Sequence, residues 1–166
     1  MAYHSYLKTQ TIKGESTQKG YEDTIELYSF NHTLSQHSGG SMSAAGGLSG
    51  GRVDHGAFII TKPLDKSSPI FAQSCCTGEH IKEMTIDILR ATGEGAGKRF
   101  MQYKLSDTIV ASITAKGTTE GNQSLPVEEV QFAYGKIEWT YTQYGQDGKA
   151  KGDVKSGWNV SQGSKV

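Results

Sequence analysis

Short runs in which β-branched and aromatic residues alternate with polar ones recur along most of this chain. Alternation of this kind is typical of strands that bury one face, because successive side chains of a strand point to opposite sides. The pattern therefore predicts a mainly β protein. The predicted strands are Thr24–Ser35, Arg52–Thr61, Met84–Arg90, Arg99–Leu105, Thr108–Ala115, Val127–Gln143 and a last short strand around Trp158 and Val160.

The first predicted strand changes phase within its length. Its apolar residues begin on the parity of Ile25 and Leu27 and continue on the parity of Tyr28 and Phe30. Such a shift predicts a bulge or sharp bend near Tyr28. Beyond that point the opposite face is small and polar and is expected to contact water; its residues are Ser29, Asn31, Thr33 and Ser35.

One segment, KSSPIFAQSCCTG, has the signals of a short helix. Ser68 is the expected N-cap, Pro69 occupies the first helical position, and Gly78 is the expected stop. Ile70, Phe71 and Cys75 can share one face of this helix, so we expect Ile70 and Phe71 to belong to the core.

The glycine- and serine-rich stretch SGGSMSAAGGLSGG, residues 38–51, has the composition of a linker. As a linker it would isolate residues 1–37, a fragment too short to fold without disulfides or metals. We therefore predict a single domain over residues 1–166, with 38–51 as a long loop between two strands. A loop of this length is usually functional or disordered, and its small apolar residues leave open whether it is mobile or orders against a partner.

The charge balance argues against two classes of partner. Lys and Arg number 17, as do Asp and Glu, so the formal net charge is zero and no positive field attracts nucleic acid or an anionic membrane. The first residues lack the basic start and apolar run of a signal peptide, and no segment is apolar enough to span a bilayer. These observations predict a protein made in the cytoplasm whose export would use no cleavable signal.

Motifs for catalysis, metals and cofactors are weak throughout. TGEGAGKRF lacks the first glycine and the final Ser or Thr of a phosphate-binding loop and leads into a strand, so we predict a hairpin turn there. The five histidines have no metal-ligand spacing. Cys75 and Cys76 are adjacent, which disfavours a disulfide, so both are expected to be buried and reduced. The sequence predicts no enzyme, no metal and no cofactor.

Several strings, in order along the whole chain, resemble the haemolysin-coregulated protein (Hcp) family, the tube subunit of bacterial type VI secretion systems. They are IKGES, the glycine-rich loop, KPLDKSSPIFAQSCCTGEHIKEMTIDILR and IEWTYTQYGQDGKAKGDVKSGWNV. The resemblance implies a compact two-sheet β-barrel with one short helix and a long protruding Gly/Ser-rich loop. It also implies hexameric rings that stack into a tube, partnership with sheath and spike proteins, and small effectors carried in the lumen. The expected destination is the extracellular space or a target cell.

The resemblance also assigns residues to these contacts. The polar strand face would line the lumen and contact effectors through Ser29, Asn31 and Thr33. The loop would contact neighbouring subunits and the next ring through Gly39, Gly40, Met42, Ala44, Ala45, Leu48 and Gly50. Glycines suit such a contact because they let backbones approach closely.

Two other functions compete with this one. A free-standing β-sandwich that binds a ligand such as carbohydrate would use exposed tyrosines and tryptophans and would be monomeric. A small secreted hydrolase is a third class, although no nucleophile motif supports it.

Overall fold

The computed structural model describes residues 3–39, 49–92, 97–117 and 125–166, which form eleven strands and one helix. None of the helical residues in these ranges belongs to a helix with the length and hydropathy that a membrane span requires. The elements are β1 (Tyr3–Thr9), β2 (Ile25–Leu27), β3 (Ser29–Asn31), β4 (Leu34–Gly39), β5 (Ser49–His55), β6 (Phe58–Pro63), α1 (Ser68–Thr77), β7 (Ile81–Arg90), β8 (Lys98–Lys116), β9 (Val127–Tyr144), β10 (Ala150–Asn159) and β11 (Ser164–Lys165).

The main sheet curves round so that one chain segment contacts both of its ends. Its central strands pair antiparallel in the order β1-β7-β8-β9, and the first part of β9 also pairs with β6. β2 pairs with β1 and β3 pairs with β6, so residues 25–31 connect the two ends. The break between β2 and β3 falls at Tyr28, which confirms the predicted bend. The fold class is also confirmed: mainly β, with two sheets and one short helix.

The core lies inside this curved sheet and beneath α1. Phe58, Ile60, Val130, Phe132 and Ile137 are fully buried there. Phe71 of α1 packs edge-on against Phe132, with ring centroids 5.7 Å apart.

β4 and β5 form a separate two-stranded sheet, which we call the ribbon. The prediction of one strand over Arg52–Thr61 is therefore wrong, because the chain leaves the ribbon after His55 and enters the main sheet at Phe58. At the turn, the Gly56 N–H donates to the Thr33 carbonyl at 2.9 Å. A Cβ atom on Gly56 would lie 2.9 Å from that same oxygen, so the close approach favours glycine.

The predicted loop over 38–51 is too wide at both ends. Ser38 pairs with Gly50 and Gly39 with Ser49, so backbone hydrogen bonding extends β4 and β5 into the glycine-rich stretch. The contact residues Gly39 and Gly50 thus lie in strands. The others, Gly40, Met42, Ala44, Ala45 and Leu48, lie outside the described residues, as do Gly93 and Gly95 of the predicted hairpin turn.

β8 runs unbroken through the position where two separate strands were expected. Asp107 has φ of +52° and lies opposite Gly135 of β9, so both strands are kinked together without a change in register. The face of β9 that points to the core changes there: even-numbered residues such as Phe132 are buried before the kink, and the odd-numbered Ile137 is buried after it. The gap predicted between the two strands is thus a kink within one strand.

α1 begins and ends close to its predicted bounds. Its N-cap is Ser67, one residue before the expected Ser68, and Gly78 ends it in the left-handed conformation as predicted. Phe71 is buried, but Ile70 and Cys76 are exposed, so their predicted burial is wrong. The cause is the rotation of the short helix, which turns those two side chains away from the sheet.

Candidate functional site

A polar surface extends across four neighbouring strands on the outer side of the main sheet, and we call it the polar face. Ser29 of β3 lies opposite Thr61 of β6, which lies opposite Glu129 of β9 and then Thr114 of β8. The next row on this face contains Asn31, Ile59, Gln131 and Ser112. All eight side chains are exposed or half-buried, whereas the alternate row contains the fully buried Ile60 and Val130.

Small residues and one hydrogen-bonded group make up most of the polar face. The Gln131 amide donates to the Glu129 carboxylate at 3.2 Å, and Lys116 lies 3.9 Å from the other oxygen of that carboxylate. Contacts within the surface therefore satisfy its longer side chains in part and leave the rest to water. Such a surface is accessible to water.

The three predicted lumen residues are all exposed, but they do not occupy one strand. Ser29 and Asn31 lie on the polar face, while Thr33 lies beyond β3, where its carbonyl accepts from Gly56 at the base of the ribbon. Sequence reasoning missed Thr61, Glu129, Gln131, Ser112 and Thr114. The alternation of polar and apolar residues in β6 and β9 was available as a signal, but which strands lie beside β3 was not.

A cluster of two histidines and a tyrosine, which we call the histidine cluster, connects the base of the ribbon to β9. His32 immediately follows β3, two residues before β4 begins, and its Nε2 lies 2.7 Å from the Tyr134 hydroxyl. His55 ends β5, and its Nδ1 lies 3.1 Å from the same hydroxyl. The segment that leads into β4 and the last residue of β5 thus contact one side chain of the main sheet.

The surroundings of the histidine cluster disfavour charge. Burial lowers the pKa of His32, and the neighbouring His55 lowers it further. Burial also lowers the pKa of His55, while the charge of Asp54 acts in the opposite direction. Burial raises the pKa of Tyr134 to about 12. The Nε2 atom of His55 is buried and has no hydrogen-bond partner among the described residues.

A second cluster, the lysine network, connects α1 to the main sheet at another place. The Lys62 ammonium is fully buried and lies 2.7 Å from both Asp65 Oδ1 and Glu128 Oε1. It also donates to Ser68 Oγ at 3.1 Å, and that hydroxyl donates to Glu128 at 2.7 Å. Ser68 is therefore a link between the helix and β9 and not the predicted cap.

An uncovered continuation of the core-facing surface lies on β8, β9 and β10. One cross-strand row leads from the buried Leu27, Ser5 and Ile88 to Met101, Tyr141 and Val154. Exposure rises along it, because Met101 is half-buried, Tyr141 is 43% exposed and Val154 is 69% exposed. We call these last three residues the apolar row. Exposed apolar residues that continue a core often mark a contact with another protein.

Among the described residues, His, Cys, Asp and Glu do not gather in groups of three that could hold a metal ion. The best-defined ionisable groups, the lysine network and the histidine cluster, connect elements of the fold to each other.

Comparison with known proteins gives one consistent result. Residues 6–141 match the family model described as Type VI secretion system effector, Hcp. The chain is 30% identical over 163 residues to the protein hcp1 of Pseudomonas aeruginosa, covering 98% of each chain. It is 29% identical to the major exported protein of the same organism over 144 residues, which is 84% of this chain and 81% of the relative.

Solved structures agree with this result. A structure described as a type six secretion system protein superposes with a TM-score of 0.91 at 27% identity, over 99% of this chain and 100% of the other. Hcp1 from Salmonella typhimurium, at 23% identity and full coverage of both chains, superposes with a TM-score of 0.79 and supports the fold.

Proposed function

Because the chain belongs to the Hcp family of type VI secretion system proteins, we propose that it is a non-enzymatic subunit of the secretion tube. In this proposal residues 1–166 form one tube domain, six copies form a ring, and rings stack into a hollow tube. Sheath and spike proteins drive the tube from the bacterial cytoplasm to the extracellular space or a target cell. Small effector proteins travel in the lumen.

The polar face is the observation that carries this proposal. A water-filled channel that must release its cargo needs a wall with few apolar anchors, and the polar face provides small or hydrated side chains over four strands. Ser29, Asn31 and Thr61 are assigned to the lumen wall, with Thr33 at its ribbon end. Contacts with effectors would be many and weak, because no side chain there is positioned as a buried hot spot.

The apolar row is assigned to the contact between neighbouring subunits of a ring. Val154 and Tyr141 lie on β10 and β9 and continue the core-facing side of the sheet. From Ala150 to Gly157, β10 has no described strand on its outer edge, so a second copy has access to both the row and the edge. A ring contact that covers Val154 removes apolar surface from water, and each Å² removed contributes about 25 cal/mol of favourable free energy.

The test of ring formation uses electron microscopy and light scattering on the full chain. The wild-type protein is expected to form six-membered rings at high concentration, and Val154→Glu is expected to leave a folded monomer. Lys155→Glu, one residue further along β10 and on its opposite face, is the matched control and should retain rings. A wild-type protein that is monomeric under every salt condition contradicts the proposed function, and a Val154→Glu protein that still forms rings removes the apolar row from it.

The glycine-rich stretch is assigned to stacking between rings and to contact with adjacent subunits. Its proposed contact residues are Gly39, Gly40, Met42, Ala44, Ala45, Leu48 and Gly50. Deletion of Ser41–Leu48 is expected to leave a folded protein that forms single rings and no tubes. Unimpaired secretion of this deletion variant would remove the stretch from the mechanism.

A further inference from the structure

At the base of the ribbon, two histidines contact the main sheet through one side chain. His32 lies between β3 and β4, His55 is the last residue of β5, and the two side chains share the hydroxyl of Tyr134. Leu34 pairs with His55, and the Gly56–Thr33 hydrogen bond closes the turn beside them. The Tyr134 hydroxyl, which has one hydrogen, therefore contributes to holding the base of the ribbon against the main sheet.

Counting hydrogens shows that every hydrogen bond of the histidine cluster can form unless both imidazole rings are protonated. A tyrosine hydroxyl donates one hydrogen bond and accepts others, and a neutral imidazole has one donor and one acceptor nitrogen. In the neutral cluster, one histidine accepts the Tyr134 hydroxyl hydrogen and the other donates its N–H to the oxygen. When both rings are protonated, both nitrogens are donors and the hydroxyl hydrogen loses its acceptor.

The groups around the cluster supply little to compensate for positive charge. The His32 ring stacks on Phe58 of β6 at 5.3 Å and meets the edge of Tyr103 of β8 at 6.3 Å. On the ribbon itself, Asp54 is an exposed carboxylate that favours a charged His55. Arg52 lines the same 520 Å³ cleft as His55, together with Trp158 and Val160 from the end of the chain.

We propose that acid opens the base of the ribbon, because uptake of the second proton separates His32 and His55 from Tyr134. The ribbon then leaves the main sheet, while the curved sheet stays folded on its core. This inference rests on the proposed function in one respect, namely that an open ribbon is expected to weaken stacking between rings.

The expected pH window follows from the direction of the pKa shifts. Both histidines have a lowered pKa in the closed form, whereas an imidazole released to solvent has a pKa of about 6.5. The stabilisation of the closed form is therefore fully present above that pH and is lost as the pH falls below it. Linkage limits the change in the opening equilibrium to about tenfold per pH unit for each proton taken up, and to about 100-fold for two.

Nuclear magnetic resonance of the full chain between pH 8 and pH 5 tests the opening directly. The amide signals of Gln36 and Val53 in the ribbon are expected to change together with the ring signals of His32 and His55. The amides of Leu105 and Ile137, which lie in the core of the main sheet, are expected to stay constant. Titration of both rings with no change at Gln36 and Val53 would overturn the proposal.

Variants distinguish protonation of the histidine cluster from other effects of acid on the protein. The double variant His32→Gln/His55→Gln keeps polar groups that do not titrate, so its ribbon is expected to stay closed to pH 5. His4→Gln removes an exposed histidine of β1 and is expected to keep the wild-type response. If the double variant does not fold, Tyr134→Phe decides the matter, because its ribbon signals should already be those of the open form at pH 8. A Tyr134→Phe protein with the wild-type response to pH would overturn the proposal.

Light scattering at pH 7.5 and pH 5.5 connects the inference to assembly. Tubes that dissociate at pH 5.5 in the wild type and persist in the double variant support it. Tubes that persist in the wild type with closed ribbon signals overturn this inference and leave the proposed function intact. Monomers at both pH values contradict the proposed function, and the amide signals of the monomer still decide whether the ribbon opens.

Discussion

Two elements lie outside the curved sheet, the helix α1 and the ribbon, and they are attached to it by different chemistry. α1 is attached by the lysine network, in which the Lys62 ammonium lies 2.7 Å from two buried carboxylates. The ribbon is attached by the histidine cluster, in which two imidazoles share the Tyr134 hydroxyl. Phe71 adds a buried aromatic contact on the helix side, whereas the ribbon is a two-stranded sheet of its own.

The difference shows how one small protein can hold a fixed element and a releasable one. The lysine network depends on opposite charges, so loss of the Lys62 cation leaves two buried carboxylates without a counter-charge. The histidine cluster depends on neutral groups, so gain of charge disrupts it. The element that contacts the core stays attached, and the element proposed to contact other subunits is the one that can be released.

The largest effect is expected from removing the cation of the lysine network. Lys62→Ala leaves Asp65 and Glu128 buried near each other without a counter-charge, which typically costs about 3–5 kcal/mol of unfolding free energy. Urea unfolding measures this loss. Lys66→Ala is the matched control, because Lys66 and Asp23 form an exposed pair at 3.7 Å whose loss costs under about 1 kcal/mol. Equal losses in the two variants would mean that α1 is not held by the network.

A smaller effect is expected at the histidine cluster. Tyr134→Phe removes the hydroxyl shared by His32 and His55 and leaves partly buried polar nitrogens unpaired, at a cost of about 1–3 kcal/mol. Tyr144→Phe, on the same strand, removes a single hydrogen bond to the Arg99 carbonyl and should cost about 1 kcal/mol. Urea unfolding of both variants at pH 8 provides the comparison. A Tyr134→Phe protein as stable as wild type would show that the ribbon is attached elsewhere.

The third effect is a dependence of stability on pH. Because burial lowers the pKa of both histidines in the folded protein, the unfolded chain binds more protons once the pH falls below about 6.5. Stability is therefore lost as the pH falls from there through the lower folded-state pKa values. Each proton contributes at most about 1.4 kcal/mol per pH unit, and solvent near the half-buried rings reduces this.

Urea midpoints between pH 8 and pH 5 measure this dependence. The wild type is expected to lose more stability than the His32→Gln/His55→Gln variant over this range, and the difference between them isolates the two histidines from the carboxylates. Parallel curves would exclude a contribution from the cluster.

The smallest effect is expected on the outer side of α1. Ile70 is 40% exposed, so Ile70→Thr should change the unfolding free energy by no more than about 0.5 kcal/mol. Phe71→Ala, at the next residue, removes a fully buried ring and should cost about 3–5 kcal/mol. A large loss at Ile70 would show that the helix has another contact and would weaken the comparison between the two attachments.

Local signals in the sequence predicted much of the fold. The parity change at Tyr28 identified the break between β2 and β3, and Gly78 identified the end of α1. Both features depend on a few neighbouring residues: a strand that changes its buried face must bend, and glycine readily adopts a left-handed conformation. The polar character of Ser29 and Asn31 followed from the same alternation.

Features that depend on distant residues were not predicted. The histidine cluster joins His32, His55 and Tyr134, and the lysine network joins Lys62 to Glu128, so no window of sequence contains either. The prediction of two strands, Arg99–Leu105 and Thr108–Ala115, missed that β8 is continuous, because the left-handed residue Asp107 interrupts the alternation inside one long strand. The apolar row was not predicted because the pairing of three strands, β8, β9 and β10, brings its residues together.

A reconstruction of the assembled protein by electron cryomicroscopy tests the central claim most directly. We predict stacked rings of six subunits in which Ser29, Asn31 and Thr61 line the central channel and Val154 lies between neighbouring subunits. A protein that forms no rings, or rings in which the polar face points away from the channel, would contradict the account.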